Sequence, residues 1–93
     1  MISRKVIRSI VDDIVREIKP HKVILFGSYA RGKATPDSDL DIFVVASLRG
    51  TSSQRIRRVR GAITSSGFGL DVVVRSPRQI RKSLSGRNWF VQE

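Results

Sequence analysis

Residues 22–46 read KVILFGSYARGKATPDSDLDIFVVA, and their pattern of apolar and turn-forming residues predicts the centre of the fold. It contains two apolar segments rich in β-branched residues, Lys22–Phe26 and Leu40–Ala46, which are typical of buried strands. The stretch between them, Gly27–Ser38, is rich in Gly, Ser and Pro and predicts a loop, with room for one helical turn near Tyr29–Arg31. Because this connection is only a loop, the two strands need not be parallel.

A helix is predicted on the N-terminal side of this stretch. Apolar residues in 2–18 recur at spacings of three and four, which indicates one buried helix face. Ser3 is the predicted N-cap. Pro20 is the stop signal, because proline disfavours a helical conformation at the preceding residue, Lys19.

Two more helices and a third strand are predicted on the C-terminal side. Thr51–Ser53 caps a helix with a narrow apolar stripe, and a turn at Ser66–Gly69 leads into the strand Leu70–Val74. Ser76 and Pro77 then open a last helix, which we expect to end at Gly86. The order helix, strand, strand, helix, strand, helix predicts one α+β domain over residues 1–93. We expect two layers, with a mixed β-sheet and helices packed mainly on one face.

Composition excludes several kinds of chemistry. The chain has 93 residues, and its 18 Lys and Arg against 8 Asp and Glu leave 18 − 8 = +10. Without cysteine it has no disulfide, no thiolate zinc site and no Cys nucleophile. A single histidine, His21, argues against a histidine metal site or a Ser-His-Asp triad. No apolar run approaches the roughly 20 residues of a membrane span, and we expect a cytoplasmic protein.

Three carboxylates stand out on this basic chain. Asp39 and Asp41 flank Leu40 where the second strand begins, so both side chains point to one face of the sheet. Asp71 lies near the start of the third strand. If these strands pair, the three carboxylates converge, and oxygen-only ligands suit Mg²⁺ or Mn²⁺. Taken singly, each acid is better explained as a turn cap, a solvent-facing residue or a loop end; taken together, they favour a metal site.

Gly27 and Ser28 follow the first strand immediately. A glycine there lets backbone amides approach a phosphate, the serine adds a hydroxyl, and Arg31 and Lys33 are placed to neutralise charge. Taken alone, Gly-Ser after a strand is a weak signal that is better explained as an ordinary strand-to-helix turn. The pattern is not a Walker loop.

The run GSYARGKATPDSDLDIFVV, Gly27 to Val45, resembles the signature of the DNA polymerase beta-like nucleotidyltransferases. That signature is Gly-Ser, about ten residues, Asp-x-Asp, and a third Asp on a later strand. The form Gly-Ser-x-Ala-Arg-Gly and the short length look most like the minimal nucleotidyltransferases. The resemblance extends from the first helix through the third strand.

This resemblance implies a two-metal transfer of a nucleoside monophosphate, AMP from ATP, to a hydroxyl of a partner protein or an RNA. Asp39 and Asp41 would hold both Mg²⁺ ions (or Mn²⁺). Asp71 would complete the ion that activates the acceptor hydroxyl. Gly27 and Ser28 would grip the terminal phosphates, with help from Arg31.

The resemblance also implies a partner. Many minimal nucleotidyltransferases resemble the antitoxin of a toxin-antitoxin pair whose other half is a helical HEPN-type protein. Such domains usually continue with another short segment, so we expect a truncated chain or an apolar edge that a partner covers. We expect the apolar group Trp89–Val91 to pack back onto the sheet. The oligomeric state does not follow from the sequence.

The basic half leaves two alternatives open. Residues 42–93 hold 10 basic and 2 acidic residues, a net of 10 − 2 = +8. Arginines in this half form either a solvated helix face, which is slightly favoured, or a surface for a polyanion such as RNA. The chain could then be an RNA-binding protein. A catalytically silent module that only binds a partner is the other alternative, and the retained carboxylates argue against it.

Overall fold

The computed structural model describes residues 1–65 and 67–83, without the side chains of residues 81–83. In chain order the elements are α1 (Arg4–Ile18), β1 (Lys22–Phe26), α2 (Gly27–Ala30), β2 (Leu40–Val45), α3 (Ser52–Ala62), β3 (Leu70–Arg75) and α4 (Pro77–Ser83). Every predicted helix and strand is present, with bounds within about two residues. The helical turn begins at Gly27, directly after β1, rather than near Tyr29. The predictions for Gly86 and Trp89–Val91 lie outside the described residues.

The helix ends follow the predicted capping chemistry. The Ser3 side chain accepts a hydrogen bond from the Val6 amide, and α1 ends at Lys19 in the left-handed conformation before Pro20. Thr51 forms a reciprocal capping box with Gln54 at the start of α3. None of the described helices is long and apolar enough to cross a membrane. The cytoplasmic location stays a prediction.

A three-stranded mixed sheet, in the order β1-β2-β3, forms the centre of the fold. β1 and β2 are antiparallel, because the short 27–39 connection reverses the chain without a crossover. β2 and β3 are parallel, because α3 carries the chain back across the sheet. The α+β class and the mixed sheet are therefore confirmed. β2 is the central strand, and its side chains alternate between two covered faces.

Most of the core lies on one face of the sheet. The fully buried side chains there come from α1, β2 and α3: Ile10, Ile14, Leu40, Ile42, Val44 and Val59. Burying one such side chain stabilises the fold by roughly 1.5–3 kcal/mol. On the other face, Ile24, Phe43 and Val45 form a smaller cluster, against which Ile80 of α4 packs. Helices thus lie mainly on one face, as predicted.

A buried carboxylate links α1 to the end of α3. Asp13 accepts hydrogen bonds from the Thr64 amide (3.0 Å) and hydroxyl (2.9 Å), and it pairs with Arg16 at 2.7 Å. The hydrogen bonds from Thr64, and after them the Arg16 guanidinium, hold the pKa of the Asp13 carboxyl below its usual value. Because every partner favours the ionised form, Asp13 fixes α1 to the chain segment that follows α3.

Candidate active site

The three predicted carboxylates lie at the same end of the sheet. Asp39 ends the loop before β2, Asp41 is the second residue of β2, and Asp71 is the second residue of β3. Asp41 and Asp71 are direct Cα partners in the parallel ladder, so their side chains leave the sheet on the same face. On its other side Asp41 pairs with Phe26, the last residue of β1. The structure therefore places Asp41 between Asp71 and the start of the Gly-Ser turn.

Asp41 is half-buried, whereas Asp39 and Asp71 are more open to solvent. Burial raises the pKa of the Asp41 carboxyl, and the charges of Asp71 and Asp39 raise it further. The Arg31 guanidinium acts in the opposite direction on the same carboxyl, since it lowers the pKa. The charges of Asp39, Asp71 and Arg31 thus all act on the Asp41 carboxyl. Arg31 is also one of the predicted phosphate ligands.

Gly27 lies directly against the carboxylate of Asp41. Its backbone has φ of +73°, and a Cβ built there would overlap Oδ2 of Asp41 and lie 2.9 Å from the Asp41 Cγ. Only glycine tolerates both the left-handed backbone and this approach. The glycine of the Gly-Ser turn is therefore required by the position of a carboxylate as well as by the turn itself.

Gly69 stands in the same relation to Asp39. A Cβ at Gly69 would overlap Oδ1 of Asp39 and lie 2.7 Å from its Cγ. The Leu40 amide donates to the Gly69 carbonyl at 2.9 Å, which fixes the two chain segments side by side. Sequence reasoning did not identify Gly69, which it assigned only to a turn. No local signal marks it, because its neighbour Asp39 is distant in sequence.

The structure brings the three acids to one sheet end but does not gather them into one cluster. Within residues 1–65 and 67–83, no group of three or more His, Asp or Glu side chains lies close enough to hold a metal ion. Asp41 leans against Gly27, and Asp39 leans against Gly69. The donor set still fits a divalent cation, because the acids are oxygen donors and their mutual repulsion at Asp41 would be relieved by positive charge.

The Gly-Ser turn is held by backbone hydrogen bonds. The Arg31 amide donates to the Gly27 carbonyl at 3.2 Å, and the Lys33 amide donates to the Ser28 carbonyl at 2.9 Å. Further along, the Thr35 amide donates to the Ser38 hydroxyl at 2.9 Å, just before Asp39. These hydrogen bonds order the loop at both ends, so Ser28 and Asp39 are presented from fixed backbone.

A cavity of about 610 Å³ opens beside Asp39. Its walls include the apolar side chains of Ile2, Tyr29 and Phe68, together with Ser38 and Asp39. The Ile2 amide donates to the Tyr29 hydroxyl at 3.0 Å, which ties the N-terminus to the Gly-Ser turn. This volume is within the range of small-molecule sites. Sequence reasoning missed the cavity, because its walls come from segments far apart in the chain.

The chain is similar to known proteins both in its sequence and in its fold. A family model described as a nucleotidyltransferase domain matches residues 7–91. A crystal structure of a candidate nucleotidyltransferase from Sulfolobus solfataricus is similar in fold, with a TM-score of 0.64 and 25% sequence identity. That match covers 84% of this chain and 70% of the other. No curated protein sequence gives a significant match to this chain.

Proposed function

The chain belongs to the nucleotidyltransferase domain family, and we propose that it transfers a nucleoside monophosphate to a hydroxyl group. One observation carries the proposal: Asp41 and Asp71 are register partners, Asp39 precedes Asp41 by two residues, and Gly27 lies against Asp41. The family pattern of Gly-Ser, Asp-x-Asp and a later Asp thus comes together at one end of the sheet.

The nucleotide in this proposal is ATP, and the group transferred is AMP. The amides at Gly27 and Ser28 and the Ser28 hydroxyl would hold the terminal phosphates, since Gly27 has no Cβ to block their approach. Arg31 is exposed and its charge acts on Asp41, so it would lie beside the same phosphates. The cavity beside Asp39 has room for the remainder of the nucleotide.

Divalent cations, Mg²⁺ or alternatively Mn²⁺, would be held by Asp39, Asp41 and Asp71. When bound, they would supply positive charge to the triphosphate and to the attacking and leaving oxygens. Asp41 supports this assignment, because its ionised form is disfavoured in the metal-free fold by burial and by two neighbouring acids. A carboxylate in that position gains most from a cation.

In the proposed reaction the acceptor oxygen attacks the α-phosphorus of ATP. The new oxygen–phosphorus bond forms as the bond to the β-phosphate oxygen breaks, and pyrophosphate leaves. Asp71 takes the proton from the acceptor hydroxyl, because it is exposed and lies next to Asp41. Positioning and charge dominate such a transfer, so neither cysteine nor histidine is required.

The acceptor in this proposal is a hydroxyl of a partner protein or an RNA. The role as the antitoxin of a toxin-antitoxin pair, with a HEPN-type partner, rests on the sequence resemblance alone. The catalytically silent binding module remains the alternative, and it predicts no transfer to any acceptor.

A label-transfer assay tests the proposal. Purified protein, Mg²⁺ and α-labelled ATP are incubated with cell lysate, and the products are digested with RNase or protease. We expect label in a macromolecule, lost in Asp39→Asn and in Asp41→Asn and lost without Mg²⁺. Asp37→Asn is the matched control, because Asp37 is an exposed acid of the same loop. Transfer that survives in the double variant of Asp39 and Asp41 would refute the assignment, as would absence of both transfer and ATP binding.

A further inference from the structure

A strongly basic surface runs along α3 and β3, and Arg60 brings it to the carboxylate end of the sheet. No acidic residue occurs between Ile42 and Leu70, and this segment contains five arginines: Arg49, Arg55, Arg57, Arg58 and Arg60. Four of the five belong to α3, whose buried residues are Val59 and Ala62. Arg57, Arg58 and Arg60 are exposed, as is Arg75 at the end of β3. These four exposed arginines are called the α3–β3 surface below.

No carboxylate neutralises the α3–β3 surface within residues 1–65 and 67–83. The ion pairs in that part of the chain join Arg16 to Asp13 and to Glu17, all on α1. No carboxylate therefore offsets the charges of these four guanidinium groups. Their mutual repulsion would be relieved by a bound polyanion. An ordinary solvated helix face carries interspersed acids, which α3 lacks.

Two of these arginines line the β3 edge of the sheet, Arg60 beside Asp71 and Arg75 at the opposite end of the strand. Arg60 donates to the Leu70 carbonyl, and Arg75 donates to the Val74 carbonyl at 2.9 Å. In the parallel ladder the Gly69 and Arg75 carbonyls face β2, so those of Leu70 and Val74 face away from it. Arg60 thus reaches Leu70. Leu70 stands between Asp71 and Gly69, and Gly69 contacts Asp39.

We propose that the α3–β3 surface binds the phosphate backbone of a polynucleotide and brings its terminal sugar hydroxyl to the carboxylate site as the acceptor. This inference rests on the proposed nucleotidyl transfer. The hydroxyl oxygen bonds to the α-phosphorus of ATP, its proton passes to Asp71, and pyrophosphate leaves. Neither α3 nor β3 contains an aromatic residue, so recognition is of phosphates rather than by base stacking.

Salt-dependent binding tests the surface without requiring activity. Fluorescence anisotropy of labelled single-stranded RNA, and of DNA of the same sequence, is measured over a range of KCl concentrations. The test variant is Arg57→Gln with Arg60→Gln, and the control is Arg4→Gln with Arg8→Gln, which removes the same charge from exposed positions of α1. For the test variant we expect weaker binding and a salt slope smaller by about 1.4, because each phosphate that is no longer neutralised lowers the slope by about 0.7.

The outcomes separate local binding from general basicity. Equal weakening in the test and control variants, with thermal unfolding unchanged, overturns the proposal, because the attraction would then be that of a diffusely basic protein. Undetectable binding at physiological salt overturns it as well. The arm that binds more tightly, RNA or DNA, identifies the polynucleotide.

An extension assay distinguishes failure of this inference from failure of the proposed function. The same oligonucleotides are incubated with α-labelled ATP and Mg²⁺, and extension by one nucleotide is followed on a gel. Asp39→Asn should bind the oligonucleotide like the wild type but not extend it. Label that enters only protein leaves nucleotidyl transfer established and overturns the polynucleotide acceptor. If no product carries label, the proposed function and the acceptor role are both contradicted. The binding data still test whether the α3–β3 surface binds a polynucleotide.

Discussion

The alpha carbon of Gly27 lies so close to the Asp41 carboxylate that a Cβ at Gly27 would overlap Oδ2 of Asp41. The two residues are neighbours because Gly27 directly follows Phe26, the last residue of β1, and Phe26 pairs with Asp41 in the sheet. The close approach lets the Gly-Ser turn and the half-buried carboxylate occupy one site. Gly69 makes the equivalent approach to Asp39 from the side of β3.

Gly27→Ala should displace Asp41 and reduce transfer. A left-handed backbone costs an alanine roughly 1–2 kcal/mol, and the overlap with a half-buried side chain adds to that cost. Displacement of a catalytic group by about 1 Å can lower a rate by about 100-fold. Urea unfolding and the label-transfer rate measure the two effects.

Gly32→Ala is the matched control for Gly27. Gly32 has a similar φ of +69°, but nothing lies within 4 Å of a Cβ built there. We expect the backbone cost of about 1–2 kcal/mol while transfer is retained. If both variants reduce transfer equally, glycine is required at position 27 because of backbone strain and not because of the close approach to Asp41.

Gly69→Ala should impair transfer while leaving stability almost unchanged. The new Cβ would force the Asp39 carboxylate away, and an aspartate that is open to solvent can rotate at little cost. We expect a change in unfolding free energy within about 0.5 kcal/mol and a marked fall in transfer rate. Gly61→Ala, where the Cβ meets open space, should keep full activity. Unchanged transfer in Gly69→Ala would show that the position of Asp39 against Gly69 is unimportant.

Asp41→Asn should stabilise the metal-free protein at neutral pH while it abolishes transfer. The fold raises the pKa of Asp41 above 3.8, so the folded state favours the protonated form, and stability falls as pH rises through this pKa. The gain in melting temperature should therefore be present at neutral pH and vanish below about pH 3.8. Thermal unfolding in EDTA over a pH series measures it, with Asp37→Asn, at an exposed position of the same loop, as the matched control. Equal melting temperatures at every pH would contradict the electrostatic coupling.

Asp13→Asn should show the opposite pH dependence. The fold lowers the pKa of Asp13 below 3.8, so its stabilising effect is present above that pH and is lost as pH falls through the folded pKa. We expect a lower melting temperature than wild type at neutral pH and convergence in acid. Asp12→Asn removes an exposed neighbouring acid and should change little. Transfer per folded molecule should remain at the wild-type level, because Asp13 contacts Thr64 and Arg16 instead of the site.

The local elements of the fold were predictable from the sequence. Ser3 and Thr51 cap helices where predicted, and Lys19 ends α1 before Pro20, because capping and proline sterics act over a few residues. The largest correction is the short helix α2, which begins at Gly27 and not near Tyr29. Its start depends on where β1 ends, and strand pairing decides that.

The candidate site was predictable in its residues but not in its geometry. Alternation along the strand predicted that Asp39 and Asp41 share a face, whereas the structure begins β2 at Leu40 and leaves Asp39 in the preceding loop. The partnership of Asp41 with Asp71 depends on the register of β2 against β3, which no local pattern specifies. The assignment of these acids as metal ligands stays a prediction.

The helices and strands, and the family to which the chain belongs, were predictable from the sequence alone, because they follow from local sterics, periodicity and motif spacing. It is only in the folded chain that Gly27 and Gly69 each approach a carboxylate, that burial and neighbouring charges raise the pKa of Asp41, and that Arg60 reaches the edge of β3 beside Asp71. These relationships join residues distant in sequence. They arise from packing and register, in which long-range interactions select one arrangement among many that local preferences allow.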